Sequence, residues 1–139
     1  MAAYNKYLPG VDGLVKTDNV ATDSWKLALA NTVTNTDTTF TPGTTDLATG
    51  NGYTAGGNAC AVTSSTTTAG VLKLVLASPT LWTAAGGNIG PFRYAILWNA
   101  TTNFPVGYWD IGSSITLLGA NSDTFTPTLD AANGVFTVT

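Results

Sequence analysis

The chain has 139 residues: five basic side chains (Lys6, Lys16, Lys26, Lys73 and Arg93), eight acidic ones that are all Asp, one Cys, and no His, Glu or Gln. Charged residues make up 9% of it, with a formal net charge of −3, against roughly 25% charged in an ordinary soluble domain. Five scattered bases make no nucleic-acid patch, one Cys makes no internal disulfide, no apolar stretch reaches membrane-spanning length, and without His there is no Ser–His or Cys–His nucleophile and no usual zinc site.

A chain of this length suits one domain with a real core. Residues 1–10 have no long apolar run and no basic start, so no secretory signal is expected there. Good helix formers are scarce. The 26 Thr residues, together with Val, Tyr, Phe and Trp, fit a pleated, half-buried surface. Gly, Asn and Asp punctuate the chain often enough for many short strands. The expectation is an all-β fold: a single β-sandwich or barrel-like domain of about six to seven strands over residues 23–139. An extended N-terminal arm, residues 1–22, precedes it.

In chain order, the arm carries Tyr4, Tyr7 and Leu8 before Pro9-Gly10, an aromatic pair suited to docking. Residues 24–33 alternate, with Trp25, Leu27 and Leu29 on one side, and read as a half-buried strand. Residues 34–58 form a long excursion rich in Thr, Asn, Asp and Gly, with a short helical turn expected around 46–49. A loop of that length is functional or packed on a neighbour. Val71 to Ala77 and Arg93 to Asn99 read as strands covered on both faces, with Lys73 needing an exit to water. Residues 106–111 and 114–118 read as two strands divided by Gly112-Ser113. Residues 124–129 and 135–139 read as a closing hairpin around Asp130–Gly134. Pro127, lacking an amide hydrogen, belongs at an edge or bulge.

Few residues invite chemistry. Asp110 and Asp123 could pair as a glycosidase acid and base, though such Asp residues more often cap turns. Asp37, Asp46, Asn121 and Asp123 offer oxygen ligands for calcium, but no spacing matches a calcium loop. Cys60 has no basic neighbour in sequence to lower its pKa. Asn99-Ala-Thr101 matches the glycosylation pattern. Among the aromatics, Trp82 and Phe104 fall between Gly, Asn and Pro residues and are the better candidates for an exposed patch; Trp82 and Trp109 are the candidates for stacking on a sugar. No catalytic residue, metal or cofactor is expected. The candidate assembly interface is Tyr4, Tyr7, Leu8, Tyr53, Trp82, Ile89 and Phe104. A charge-poor surface of Thr and Asn is cheap to desolvate compared with Lys or Glu and loses little rotamer freedom, which suits burial in an assembly.

The strings Asn51-Gly-Tyr-Thr-Ala-Gly-Gly57, Trp82-Thr-Ala-Ala-Gly-Gly-Asn-Ile-Gly-Pro-Phe-Arg-Tyr-Ala-Ile-Leu97, Gly107-Tyr-Trp-Asp-Ile-Gly112 and Asp123-Thr-Phe-Thr followed by Asn133-Gly-Val-Phe136 carry a resemblance over residues 45–139. Their order resembles small virion proteins of tailed bacteriophages that accompany the major capsid protein. The resemblance implies a non-enzymatic particle component of the capsid decoration (cement) type, made in the host cytoplasm and placed on the capsid exterior. The implied partner is the phage major capsid protein. The implied assembly is a homotrimer, with no nucleic-acid or membrane partner. In that picture the arm and the 34–58 loop bridge neighbouring capsid subunits. A tail, adaptor or fibre component and a carbohydrate-binding module are the alternatives.

Overall fold

The computed structural model describes every residue except Met1 and Thr17, and only the backbone of Val15 and Lys16. The elements in chain order are β1 (Tyr4–Lys6), α1 (Gly10–Lys16), β2 (Trp25–Ala30), β3 (Asn58–Cys60), β4 (Val62–Thr68), β5 (Val71–Leu76), β6 (Trp82–Thr83), β7 (Ile89–Asn99), β8 (Phe104–Leu117), a 3-10 turn at Gly119–Asn121, β9 (Thr124–Phe125) and β10 (Phe136–Val138). The fold is all-β. Its antiparallel sheets run β1-β8-β7-β2-β3, β10-β5-β4 and β6-β9.

The alternation in β2 sets the layers. Trp25, Leu27 and Leu29 face a core that also takes Leu74 and Leu76 from β5 and Leu97 from β7. The five- and three-stranded sheets therefore share one apolar interior. Each such large side chain contributes about 1.5–3 kcal/mol on burial. The opposite face of β2, Ala28 and Ala30, is buried too, in a second cluster with Tyr7, Phe40, Ile96 and Trp98. Two alanines leave room there for the 34–58 excursion to lie close, so β2 is covered on both faces.

Several expectations change in the structure. Residues 106–111 and 114–117 fall in one strand, β8, and Leu118 lies just beyond it. Tyr94 faces Asp110 while Phe92 faces Ile115, so β8 bulges between those pairs, and Gly112 takes φ +101° at the bulge, a conformation Gly adopts without Cβ strain. The closing hairpin does not form: β9 pairs with β6 and β10 pairs with β5. Asp130 still builds its turn, its carboxylate accepting from the Ala132 and Asn133 amides, but that turn joins two different sheets. Pro127 is buried and lies outside any strand. The helical turn falls earlier than expected, where the Thr44 and Thr45 amides donate to the Thr41 carbonyl. Lys73 finds its exit by donating from Nζ to the Ala132 carbonyl at 2.9 Å.

The N-terminal segment is part of this architecture. Tyr4–Lys6 adds to the free side of β8 in the register Tyr4↔Trp109 to Lys6↔Gly107. Residues 10–16 then turn into a short helix against β8. Of the expected arm, Met1 and Thr17 lie outside the described residues.

Candidate assembly surface

Four of the seven expected interface residues lie in the interior: Tyr7 is 0%, Tyr53 2%, Trp82 1% and Ile89 1% exposed. Trp82 shows why flanking Gly and Pro misled. Its two-residue strand is closed by β9, and its ring lies 6.1 Å from Tyr53 and 6.2 Å from Phe125. Ile89 opens β7 opposite Leu117. Tyr7 sits edge-on to Tyr108 at 5.5 Å. Tyr53 is tied into the loop that precedes β3, as described below. None of these four can present its side chain on the surface of this fold. Trp109 is also buried at 6%, so neither tryptophan considered for sugar stacking offers an open face.

The other three remain at least partly accessible. Tyr4 is half-buried, its ring lying over Gly107, where any Cβ would meet it at 2.1 Å, and edge-on to Trp109 at 5.2 Å. Burial pushes its phenol well above the ordinary tyrosine range. Phe104 rests against Gly13 of α1. Leu8 is exposed at 59%. The docking that the aromatic pair promised is thus made within the chain itself, on β8, and the arm does not reach outward.

Two apolar side chains of the N-terminal segment remain outward. Leu8 and Val11, at 59% and 47%, are the most exposed large apolar residues near the N-terminus. The backbone around Leu8 is tied down. Tyr7 donates to the Val106 carbonyl at 3.0 Å, Leu8 to the Asn35 carbonyl at 2.8 Å, and Gly10 to the Tyr7 carbonyl at 3.0 Å. Beside Val11 a groove of about 280 Å³ runs between β1, α1 and β10, lined by Tyr4, Lys6, Leu14, Val106 and Phe136. Sequence reading found Leu8 but missed Val11 and Leu14, which share one side of a helix too short for periodicity to reveal.

The carboxylates considered for chemistry are engaged locally. Asp110 takes Arg93 in two parallel bonds, Nε at 2.8 Å and Nη2 at 2.9 Å. The Arg93 hydrogen bonds, helped by the Gly112 amide, hold its carboxyl below the usual carboxylate range. Asp123 accepts from the Leu118 amide at 3.0 Å. Asp46, 8% exposed, accepts from the Gly43 amide at 2.7 Å, the Gly56 amide at 2.6 Å and the Tyr53 hydroxyl at 2.5 Å. Tyr53 Oη in turn accepts from the Leu29 amide at 3.0 Å. This chain of bonds pins the 41–57 segment to β2 and engages Asp46 within the fold. Among the described residues, no three His, Cys, Asp or Glu side chains converge as metal ligands. Asn99 is fully buried; its amide donates to Asp23 at 2.6 Å and its oxygen accepts from the Thr101 amide, so the glycosylation pattern is closed off in the folded chain. Burial pushes the Cys60 thiol up to about 12, far from the range of a reactive thiolate.

Among the described residues no helix is long and apolar enough to cross a membrane. Comparisons with protein-family models, curated proteins and solved structures return no match.

Proposed function

We propose that this protein is a non-enzymatic structural component of a tailed-phage particle. In this reading it decorates the capsid exterior and stabilises it by binding across neighbouring major capsid subunits. The observation that carries the reading is that Leu8 and Val11 stay exposed at 59% and 47% on a fold with very few charges. Exposed apolar side chains on fixed backbone lose little entropy when a partner covers them. The surrounding Thr, Asn and Ser residues cost less to desolvate than charged ones. The resemblance over residues 45–139 supplies the kind of partner.

In this reading the contact is made by a docked face and not by a reaching arm. Both the N-terminal segment and the 34–58 excursion are folded onto the domain, so bridging falls to the whole rigid body and not to extended tails. Co-pelleting tests this. Purified protein is mixed with capsid shells that lack it and the pellet is assayed. The wild type is expected to pellet with shells, and Leu8→Ser with Val11→Ser to bind about tenfold or more weakly, the effect of removing interface anchors. Absence of wild-type binding overturns the capsid reading; undiminished binding by the double variant overturns the choice of face.

A further inference from the structure

Between Asp46 and Lys73 the chain carries no charged residue. Much of that stretch is exposed, and β4 is exposed or half-buried along its whole length. It pairs with β5 alone and forms the outer edge of its sheet. With seven residues it is the longest edge strand; β1, β3 and β10 have three each. Folded proteins blunt long edges with charge, Pro or a covering segment, because the free amides and carbonyls template another strand. Val62-Thr-Ser-Ser-Thr-Thr-Thr68 has neither charge nor Pro. Among the described residues no loop backbone or side chain hydrogen-bonds to it.

The hairpin geometry says which groups are free. Ala69 and Gly70, at φ +50° and +80°, make the two-residue turn between β4 and β5. Such a turn of primed type closes on a hydrogen-bonded pair, here Thr68↔Val71. Ladder bonds alternate along an antiparallel pair. Thr68, Thr66 and Ser64 therefore turn their backbone groups toward β5, while Ser65 and Thr67 turn theirs outward. Thr63 is the residue that the irregularity between Val62 and Ser64 leaves unpaired with β5.

We propose that this edge pairs antiparallel with β4 of a second copy of the chain, about a twofold axis through Ser65. In that register Ser65 faces Ser65 of the second copy, and Thr67 faces Thr63. The outward groups of one strand meet the outward groups of the other. Every pair from 63 to 67 is hydroxyl against hydroxyl, a favourable cross-strand combination, and no like charges oppose. Two three-stranded sheets become one continuous sheet. An isologous contact of this kind closes at two copies, in place of the threefold arrangement that the family resemblance implies. The pairing is a property of the protein alone and stands apart from the capsid reading.

Sedimentation velocity over a concentration series tests it on the full chain, using Ser65→Lys, Ser65→Asp, their equimolar mixture, and Thr67→Pro. Because the axis makes residue 65 meet itself, each charged variant is expected to dimerise about fivefold more weakly than wild type, and the mixture to recover. Pro at 67 keeps the β5 ladder, since its lost amide faces outward, and weakens the dimer about tenfold by removing one bond on each side of the axis. Near-ultraviolet circular dichroism checks that each variant is folded. A wild type that stays monomeric, or sediments as a trimer, overturns the proposal. So does a dimer equally strong in all the variants. If the position-65 variants fail to fold, Thr67→Pro decides alone: a weaker dimer supports the proposal and an unchanged one overturns it.

Discussion

The Phe40 ring lies stacked on the Trp98 indole, with centroids 4.1 Å apart and planes 13° from parallel. The same indole donates from Nε1 to the Gly56 carbonyl at 2.9 Å. Trp98 is thus held twice by one excursion, once by dispersion and once by a buried hydrogen bond. These contacts make that excursion a layer of the fold, covering the second face of β2 and β7.

Phe40→Ala is expected to cost about 3 kcal/mol of stability, the lower end for losing a buried aromatic ring, because a surface segment relaxes more than a core. Denaturant unfolding measures it. A loss below about 1 kcal/mol, the size of an ordinary substitution, would show that the excursion is not part of the cooperative unit.

Asp46 and Tyr53 act as one unit. Asp46→Ala strips acceptors from two amides and a phenol and is expected to cost about 3 kcal/mol. Tyr53→Phe leaves the Leu29 amide without its acceptor and is expected to cost about 1–2 kcal/mol. A double-mutant cycle should return a coupling of at least about 0.5 kcal/mol; strict additivity would contradict the shared network.

Much of the fold was legible in the sequence, and the losses have physical causes. Period-two alternation with large apolar residues marked β2, β5 and most of β7. The strand β4 was missed although its signs were present: a β-branched run and a two-residue turn before Val71. Gly112 was read as a break because Gly weakens strands, yet here its positive φ shapes a bulge inside one long strand. The false hairpin came from assuming that neighbours in sequence pair; β9 and β10 instead close two different sheets. Of the candidate interface residues, the exposure of Leu8 was legible from its place in the arm. Tyr53, Trp82 and Ile89 were not, because whether an aromatic or apolar residue between glycines is exposed depends on strands far away in the chain. Asp46 shows the same limit: its partners lie at positions 43, 53 and 56, and no local spacing announces them all.

Acid should loosen the fold through Asp110 and Asp130. The Arg93 side-chain hydrogen bonds lower the first; the Asn133 backbone and side chain, then the Ala132 amide, lower the second. A carboxyl lowered in the folded state adds stability above its unfolded pKa of about 3.9, and that stability is lost as pH falls through the folded value. The denaturation midpoint is therefore expected to drop below about pH 4, and Arg93→Ala to flatten part of that drop, more at low salt. An unchanged acid profile in Arg93→Ala would contradict the role of the ion pair.

Cys60 should resist modification in the native state. With its thiol at about 12 and 2% exposed, labelling by a thiol reagent at about pH 8 should be slow and should accelerate on adding denaturant, since the thiolate is the reacting form. Fast labelling of the folded protein would place Cys60 in an open environment that the structure does not have.

The central proposal is that the molecule works by binding to a phage shell. Electron cryo-microscopy of shells lacking the protein, before and after adding it, tests that most directly. The account predicts new, regularly spaced density on the outer surface into which this fold fits with the Leu8–Val11 face against the capsid. Shells that look the same with and without it, under conditions where the protein is folded, would contradict it.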